Sequence, residues 1–387
     1  NMCVRDDAHM RKHIGLFSDG KLVSVVGVYP LPTRVLDKEI NFCTVGNVAT
    51  HPDYEGRGYM NILLNRAMEI VNEEKYDICR LGGDRARYLR FGFELCGGNY
   101  SYYITPKNTK KSLLGGYGQN TSVYEILSND ENSLTFAREV YHQNKVSVLR
   151  NDNGVMYRVM TAWKNTPYLV TKNDEPIGYF ALASDKKEVS EAYAINKESY
   201  LDTVVAISNY LNDDFSITLP QHDIDLIREI NKCAEYMSIQ IPSNFNVVSF
   251  EKVVDAYIKL KASYTCLVPG SVAISIKDYG KIKIFANEND CGCVKFDGEC
   301  DFELSKPDAT RFIFGMHPPV SVTQPNLFAK ANFPLPLSWN TQSLLPPRSG
   351  SSPCRNKHPT ARSATSIPRK KASAKRQCVP VCFAERK

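Results

Sequence analysis

No stretch of this sequence approaches the roughly 18–20 consecutive apolar residues that a membrane-spanning helix needs. The longest candidate, Leu22–Leu31, has the length and composition of a strand. The first twenty residues contain neither an apolar core nor a small-residue cleavage site, so no secretory signal is read there. Regular cysteine spacing is also lacking. The 12 cysteines fall at irregular, mostly wide intervals, which in a chain without an export signal reads as reduced thiols and a cytoplasmic location. Cys291-Gly292-Cys293 with Cys300 has no fourth ligand nearby, so these read as sheet cysteines and no metal is assigned. A consistent excess of one charge is missing too. The 387 residues carry 48 basic and 42 acidic side chains, a formal net charge of +6, but residues 346–387 hold eleven of the basic and one of the acidic groups. The preceding 345 residues are therefore net acidic by four. Overall charge gives no argument for a nucleic-acid partner, and no membrane partner is expected either.

What is present is an alternation of strands and helices. Residues 12–31 read as two strands around the turn Ser18-Asp19-Gly20-Lys21, and Phe42–Ala49 as a third. Tyr59–Asn72 has helical period, with Met60, Leu63, Leu64, Ala67, Met68 and Val71 on one face. Tyr76–Gly82 is a short apolar strand, Ala86–Arg90 a helical turn, and Gly92–Ile104 strand again. This predicts an α/β domain over residues 1–106, followed by a Lys- and Gly-containing linker at 107–118. Residues 119–244 repeat the hairpin-then-helix order, with a helix near Ser133–Asn144, a hairpin within Pro167–Ala183, and helices at Glu198–Leu211 and Asp223–Glu235. They read as a degenerate copy of the first domain. Residues 245–345 begin with the helix Phe250–Leu260, continue in β style and include a short helix at Pro307–Phe314, with one helix packed on an antiparallel sheet as the simplest arrangement. The Pro-, Ser-, Lys- and Arg-rich residues 346–387 read as a disordered basic tail.

The stretch that carries chemistry runs from Val48, Ala49 and Thr50 through His51-Pro52-Asp53-Tyr54 to Glu55-Gly56-Arg57-Gly58-Tyr59-Met60. A strand passes through a glycine turn into a helix, where unpaired amide N–H groups and the positive end of the helix dipole can bind phosphate. Gly56 and Gly58 permit close backbone approach and Arg57 adds a cation. On this segment alone, a helix start without a ligand is an equally good reading. Some 28 residues after Met60 comes Tyr88-Leu89-Arg90-Phe91-Gly92-Phe93. His51 beside the loop reads as a turn residue. Asp84-Arg85, after a strand end, reads equally as a helix cap with an ion pair or as acceptor-binding.

The succession strand, P-x-Y-x-G-x-G, helix, strand, Y-x-x-x-G-F resembles the Gcn5-related N-acetyltransferase (GNAT) superfamily. The three-part layout resembles its enhanced intracellular survival (Eis) type. That type has a second, non-catalytic GNAT-like domain and a sterol-carrier-protein-like C-terminal domain. The resemblance implies a mixed α/β sheet with flanking helices and acetyl-CoA as co-substrate. It places the cofactor against Val48, Ala49, Thr50, Glu55, Gly56, Arg57, Gly58, Tyr59 and Met60. It further implies transfer of the acetyl group to a primary amine, on an aminoglycoside-like polyamine or a lysine-bearing peptide, with self-association of the chain. Backbone N–H groups of Val48–Thr50 would hold the oxyanion. Tyr88 would protonate the leaving thiolate, a task suited to a phenol of unperturbed pKa about 10. A non-catalytic acyl-CoA-binding or regulatory protein on the same fold is the alternative.

Three departures from the family pattern shape the expectations. Glu55 stands where the family has Arg or Gln, so weaker cofactor affinity is expected. Only about eleven residues precede the first strand, so the family's opening strand and first two helices have no counterpart and the chain reads as N-terminally incomplete. In Eis-type enzymes the terminal carboxylate assists amine deprotonation. Here Pro334–Thr341 resembles the approach to that terminus, but the chain runs on to Lys387.

Overall fold

The computed structural model describes residues 10–112, 116–241 and 243–316, together with the backbone of 378–380. The first hairpin is β1 (His13–Ser18) and β2 (Lys21–Pro30), joined through Asp19 and Gly20, both at positive φ as a tight hairpin turn requires. A small ribbon, β3 (Thr33–Val35) and β4 (Lys38–Ile40), leads to β5 (Phe42–Thr50). Helix α1 (Tyr59–Glu73) buries Leu63, Leu64, Ala67 and Val71 against the sheet. The two leucines and the valine each contribute about 1.5–3 kcal/mol of transfer free energy. Strand β6 (Ile78–Leu81), the short helix α2 (Arg85–Tyr88) and β7 (Glu94–Leu95) follow.

The next strand departs from expectation. β8 (Asn99–Ile104) does not join the first sheet but pairs within the second. The first six residues of the expected linker 107–118 lie in helix α3 (Pro106–Ser112). Proline suits its first turn, and Thr105 Oγ1 accepts from Asn108 N at 3.1 Å. The second segment runs β9 (Thr121–Glu125), α4 (Glu131–His142), β10 (Val146–Val148), α5 (Asn153–Met160), β11 (Thr166–Lys172), β12 (Glu175–Leu182), β13 (Glu188–Ala194), α6 (Lys197–Leu211), β14 (Phe215–Pro220), α7 (Ile224–Ile230) and β15 (Ala234–Gln240). The helix expected over Asp223–Glu235 thus stops at Ile230, because Ala234–Gln240 is drawn into pairing along β8. Strand β16 (Asn244–Val247) then returns to the first sheet, between β6 and β7.

The two seven-stranded sheets therefore have the same plan. With β21 (Cys378–Pro380) at its edge, the first is ordered β21-β1-β2-β5-β6-β16-β7 and the second β9-β11-β12-β13-β14-β8-β15, the last written from its opposite edge. In each, one neighbouring pair is parallel, β5 with β6 and β13 with β14, and the rest are antiparallel. The duplication suspected from the hairpin order is real at the level of topology. Each sheet takes its sixth strand from the far side of the chain, β16 into the first and β8 into the second. Strand β21 (Cys378–Pro380) lies antiparallel on the outer edge of β1, so part of the segment expected to be disordered pairs with the sheet. The remainder of 346–387 and the Pro334–Thr341 segment lie outside the described residues.

The third segment is α8 (Phe250–Ala262), β17 (Gly270–Ile276), β18 (Gly280–Ala286), β19 (Cys291–Lys295), β20 (Phe302–Leu304) and α9 (Lys306–Phe314). Its sheet is ordered β19-β18-β17-β20, with β20 parallel to β17, so it is mixed where an antiparallel one was expected, and α9 lies where the short helix Pro307–Phe314 was expected. Its core is continuous with Phe42, Ile78 and Phe245 of the first sheet and Val146 and Val148 of the second segment. Among the described residues no helix is long and apolar enough to cross a membrane. Nor is any group of three or more His, Cys, Asp or Glu side chains placed to hold a metal.

Candidate active site

The site arises where two parallel strands part. β5 and β6 pair from Phe42–Ile78 to Val45–Leu81, after which β5 continues to Thr50 while the chain beyond Leu81 turns away. Gly83, at φ +121°, makes that departure, and a Cβ there would stand 3.1 Å from the Tyr88 ring. The gap opens a cleft of about 620 Å³. Val48, Ala49 and Thr50 line it from β5, and Glu55, Gly56, Gly58, Tyr59 and Met60 from the loop and α1.

The loop is built for an anion. Gly56 and Gly58 have φ of +73° and +80° with no atom within 4 Å of a would-be Cβ, so it is the left-handed backbone and not lack of room that calls for glycine. The 15-residue helix α1 makes its first backbone bonds from Asn61 N and Ile62 N to Gly58 O, so the N–H groups before them have no helical carbonyl to serve. The positive end of the helix dipole reinforces them.

Two of the ten expected residues do not line the cleft. Arg57 donates from Nη2 to Asp53 O at 3.0 Å and lies 4.7 Å over the Tyr54 ring. Tyr88 is only 5% exposed and packs in the core beneath α1. In their place stand two arginines not singled out from sequence, Arg87 and Arg90, on either side of Tyr88. Arg90 also hydrogen-bonds Asn61 Oδ1 in the first turn of α1. The signal available in the sequence was three arginines within Arg85–Arg90. These two cations offset Glu55, so the lining is suited to a diphosphate: helix-terminal amides, open glycines and two guanidiniums. His51 caps the turn before the loop, accepting from Asp53 N. Asp84 caps α2, accepting from Ala86 N at 3.0 Å, while Arg85 pairs with Glu94.

The second sheet has no such site. Where the first places His51–Gly58 between β5 and α1, the second has only Ile195-Asn196 between β13 and α6, with Asn196 Oδ1 capping Ser199 N at 2.8 Å. Its β13 instead carries Glu191 in a fully buried bidentate pair with Arg150, at 2.7 and 2.6 Å.

Residues 4–96 match the acetyltransferase (GNAT) domain family. The matched range spans the cleft and the first sheet as far as β7. No curated protein matches the chain. Among solved structures, the chain is similar to a GCN5-related N-acetyltransferase from Anabaena variabilis, at 14% identity and a TM-score of 0.61, covering 85% of this chain and 88% of that one. It is also similar to Eis1 from Mycobacterium abscessus, at 14% identity and 0.60, covering 88% and 90%. A GCN5-related N-acetyltransferase from Kribbella flavida follows the same fold at 14% identity and 0.56, covering 78% and 76%. These likenesses establish a GNAT-like fold through most of the chain.

Proposed function

We propose that this chain is an acetyl-CoA-dependent N-acetyltransferase acting on a primary amine. The observation that carries the reading is the cleft at the β5–β6 divergence, which the start of α1, Gly56, Gly58 and two arginines line together. The co-substrate would supply a thioester-activated acetyl group. The amides of Gly58, Tyr59 and Met60, with Arg87 and Arg90, would hold its diphosphate. The unpaired edge of Val48–Thr50 would donate to the thioester oxygen as negative charge grows there. Tyr88, on the turn between the two arginines, would return the proton to sulfur. The acceptor class, an aminoglycoside-like polyamine or a lysine side chain, belongs to the proposal. So do a cytoplasmic site of action, self-association, a sterol-carrier-like nature for residues 245–345, and the division at 106, 119 and 244.

One observation favours a second reading, a non-catalytic acyl-CoA-binding protein: the near-complete burial of Tyr88. Acetyl-CoA consumption with a panel of primary amines, comparing wild type and Tyr88→Phe, separates the two. Turnover that falls about 10²–10⁴-fold in the variant supports catalysis with Tyr88 as acid. Unchanged turnover rejects Tyr88 as the acid, and cofactor binding without turnover in wild type selects the second reading.

A further inference from the structure

The wall of the cleft formed by Val48–Thr50 depends on an irregularity in β5. Pairing with β2 steps from Gly27–Gly46 to Val25–Ala49, so β5 spends one residue more than its neighbour. This is a β-bulge, and Asn47 sits in it at φ +52°. Bulges re-aim the residues that follow, and here those residues are the ones facing the cleft.

A buried polar cluster grips the bulge from two other strands. Asn47 Nδ2 donates to Tyr29 Oη at 2.8 Å and lies 3.0 Å from His13 Nε2, while Tyr29 Oη and His13 Nε2 are 2.8 Å apart. His13 Nδ1 meets Met10 O at 3.0 Å, which selects the tautomer with its proton on Nδ1 and leaves Nε2 as acceptor. His13 and Tyr29 are 6% and 3% exposed. Even the strand beneath is adapted. A Cβ on Gly27 would lie 2.0 Å from Tyr29 Oη, so glycine there is what lets the ring lie across the sheet.

We propose that His13, Tyr29 and Asn47 are positioning residues that lock the β5 bulge and so aim the Val48–Thr50 amides into the cleft. This rests on the acetyltransferase reading for its consequence, though not for its geometry. None of the three lines the cleft, so the effect passes through the backbone of β5.

Two conservative variants test it. Asn47→Gly keeps the left-handed backbone and deletes the amide, and Tyr29→Phe keeps the ring over Gly27 and deletes only the hydroxyl. Hydrogen exchange across Gly46–Thr50 should speed up by about tenfold or more in either variant, while β13 of the second sheet stays unchanged. Turnover should fall about tenfold, with a smaller change in acetyl-CoA affinity by calorimetry, because aligned donors matter most as charge develops. The double variant should lose less than the product of the two single losses, since both variants break the Asn47–Tyr29 bond of one cluster. Exchange and turnover within about twofold of wild type in both singles, or effects that multiply in the double, would overturn the proposal. Wild type that neither binds nor consumes acetyl-CoA would refute the acetyltransferase reading. Exchange at Gly46–Thr50 would still decide the clamp, and Tyr29→Phe keeps that measurement open if Asn47→Gly does not fold.

Discussion

Arg87, Tyr88 and Arg90 lie within four positions of one another, yet the arginines face the cleft and the tyrosine faces the core. The motif that identifies Tyr88 is a string of residue types, and a string carries no direction for a side chain on a single helical turn. The glycines were legible for the opposite reason, since their role lies in φ, a local property. His222 and Asp223, at the start of α7, show local identity and tertiary environment diverging further. Burial first, and the nearby Lys145 ammonium second, push the His222 imidazole down to about 3, and its Nδ1 has no partner among the described residues. Burial raises the neighbouring Asp223 carboxyl to about 6. The linkage signs are opposite. An imidazole that resists protonation when folded contributes stability above its unfolded value of 6.5, and this is lost as pH falls toward 3. A carboxyl whose pKa is raised contributes stability below its unfolded value of 3.8, and this is lost as pH rises through 6. His222→Gln should therefore gain melting temperature relative to wild type at about pH 4.5 compared with pH 7.5, and Asp223→Asn should show the reverse. Parallel melting curves at the two pH values check both, and equal shifts at both would contradict the assigned protonation states.

At the scale of elements, strand and helix types follow the hydrophobic period closely, as α1 and the β11–β12 hairpin show. Partnership between strands does not follow from it. β8 (NYSYYI) and β16 (NFNV) each mix polar and apolar residues, and nothing within a local window says that one belongs to the sheet after it and the other to the sheet before it. The exchange is enforced by long-range pairing: Asn244–Val247 fills the gap between β6 and β7. There Phe245, fully buried, meets Phe42 edge-to-face at 6.2 Å. Phe245→Ala removes that contact and leaves a cavity, at a cost of about 3–5 kcal/mol. Although residue 245 lies beyond the whole second segment, the lost protection should appear in the first sheet. Hydrogen exchange should quicken in β5 and β6 more than in β13 and β14. A loss confined to the second sheet would contradict the observed strand order.

Across the whole molecule the third segment reaches the candidate active site through one carboxylate. Glu94, 1% exposed on β7, accepts hydrogen bonds from Arg85 of α2, including Nη2 at 2.6 Å, and from Arg311 of α9. Gly97 N donates to Phe314 O at 2.9 Å nearby. The turn that bears Arg87, Tyr88 and Arg90 is thus tied to a helix more than 200 residues later. Burial alone would raise the Glu94 pKa, but the bonds from Arg85 and Arg311 outweigh it and hold the carboxyl below the usual range. A depressed carboxyl contributes stability above its unfolded value and loses it as pH falls. Arg311→Met keeps the apolar stem and removes one of the two cations from a buried charge. Arg85 remains, so the expected loss is about 1–3 kcal/mol near pH 7, below that for stripping a buried ion of its sole partner. The loss should shrink as pH falls past the ordinary carboxylate range, where protonation of Glu94 removes the charge that needed compensation. Denaturant titrations at pH 7 and at a series of acidic pH values measure this directly. Because α8, α9 and the first sheet share one apolar core, the variant should still unfold in a single transition. A separate early transition of the third segment in this variant would show that the shared core does not suffice and that the tie through Glu94 is what couples it to the Arg85–Arg90 turn.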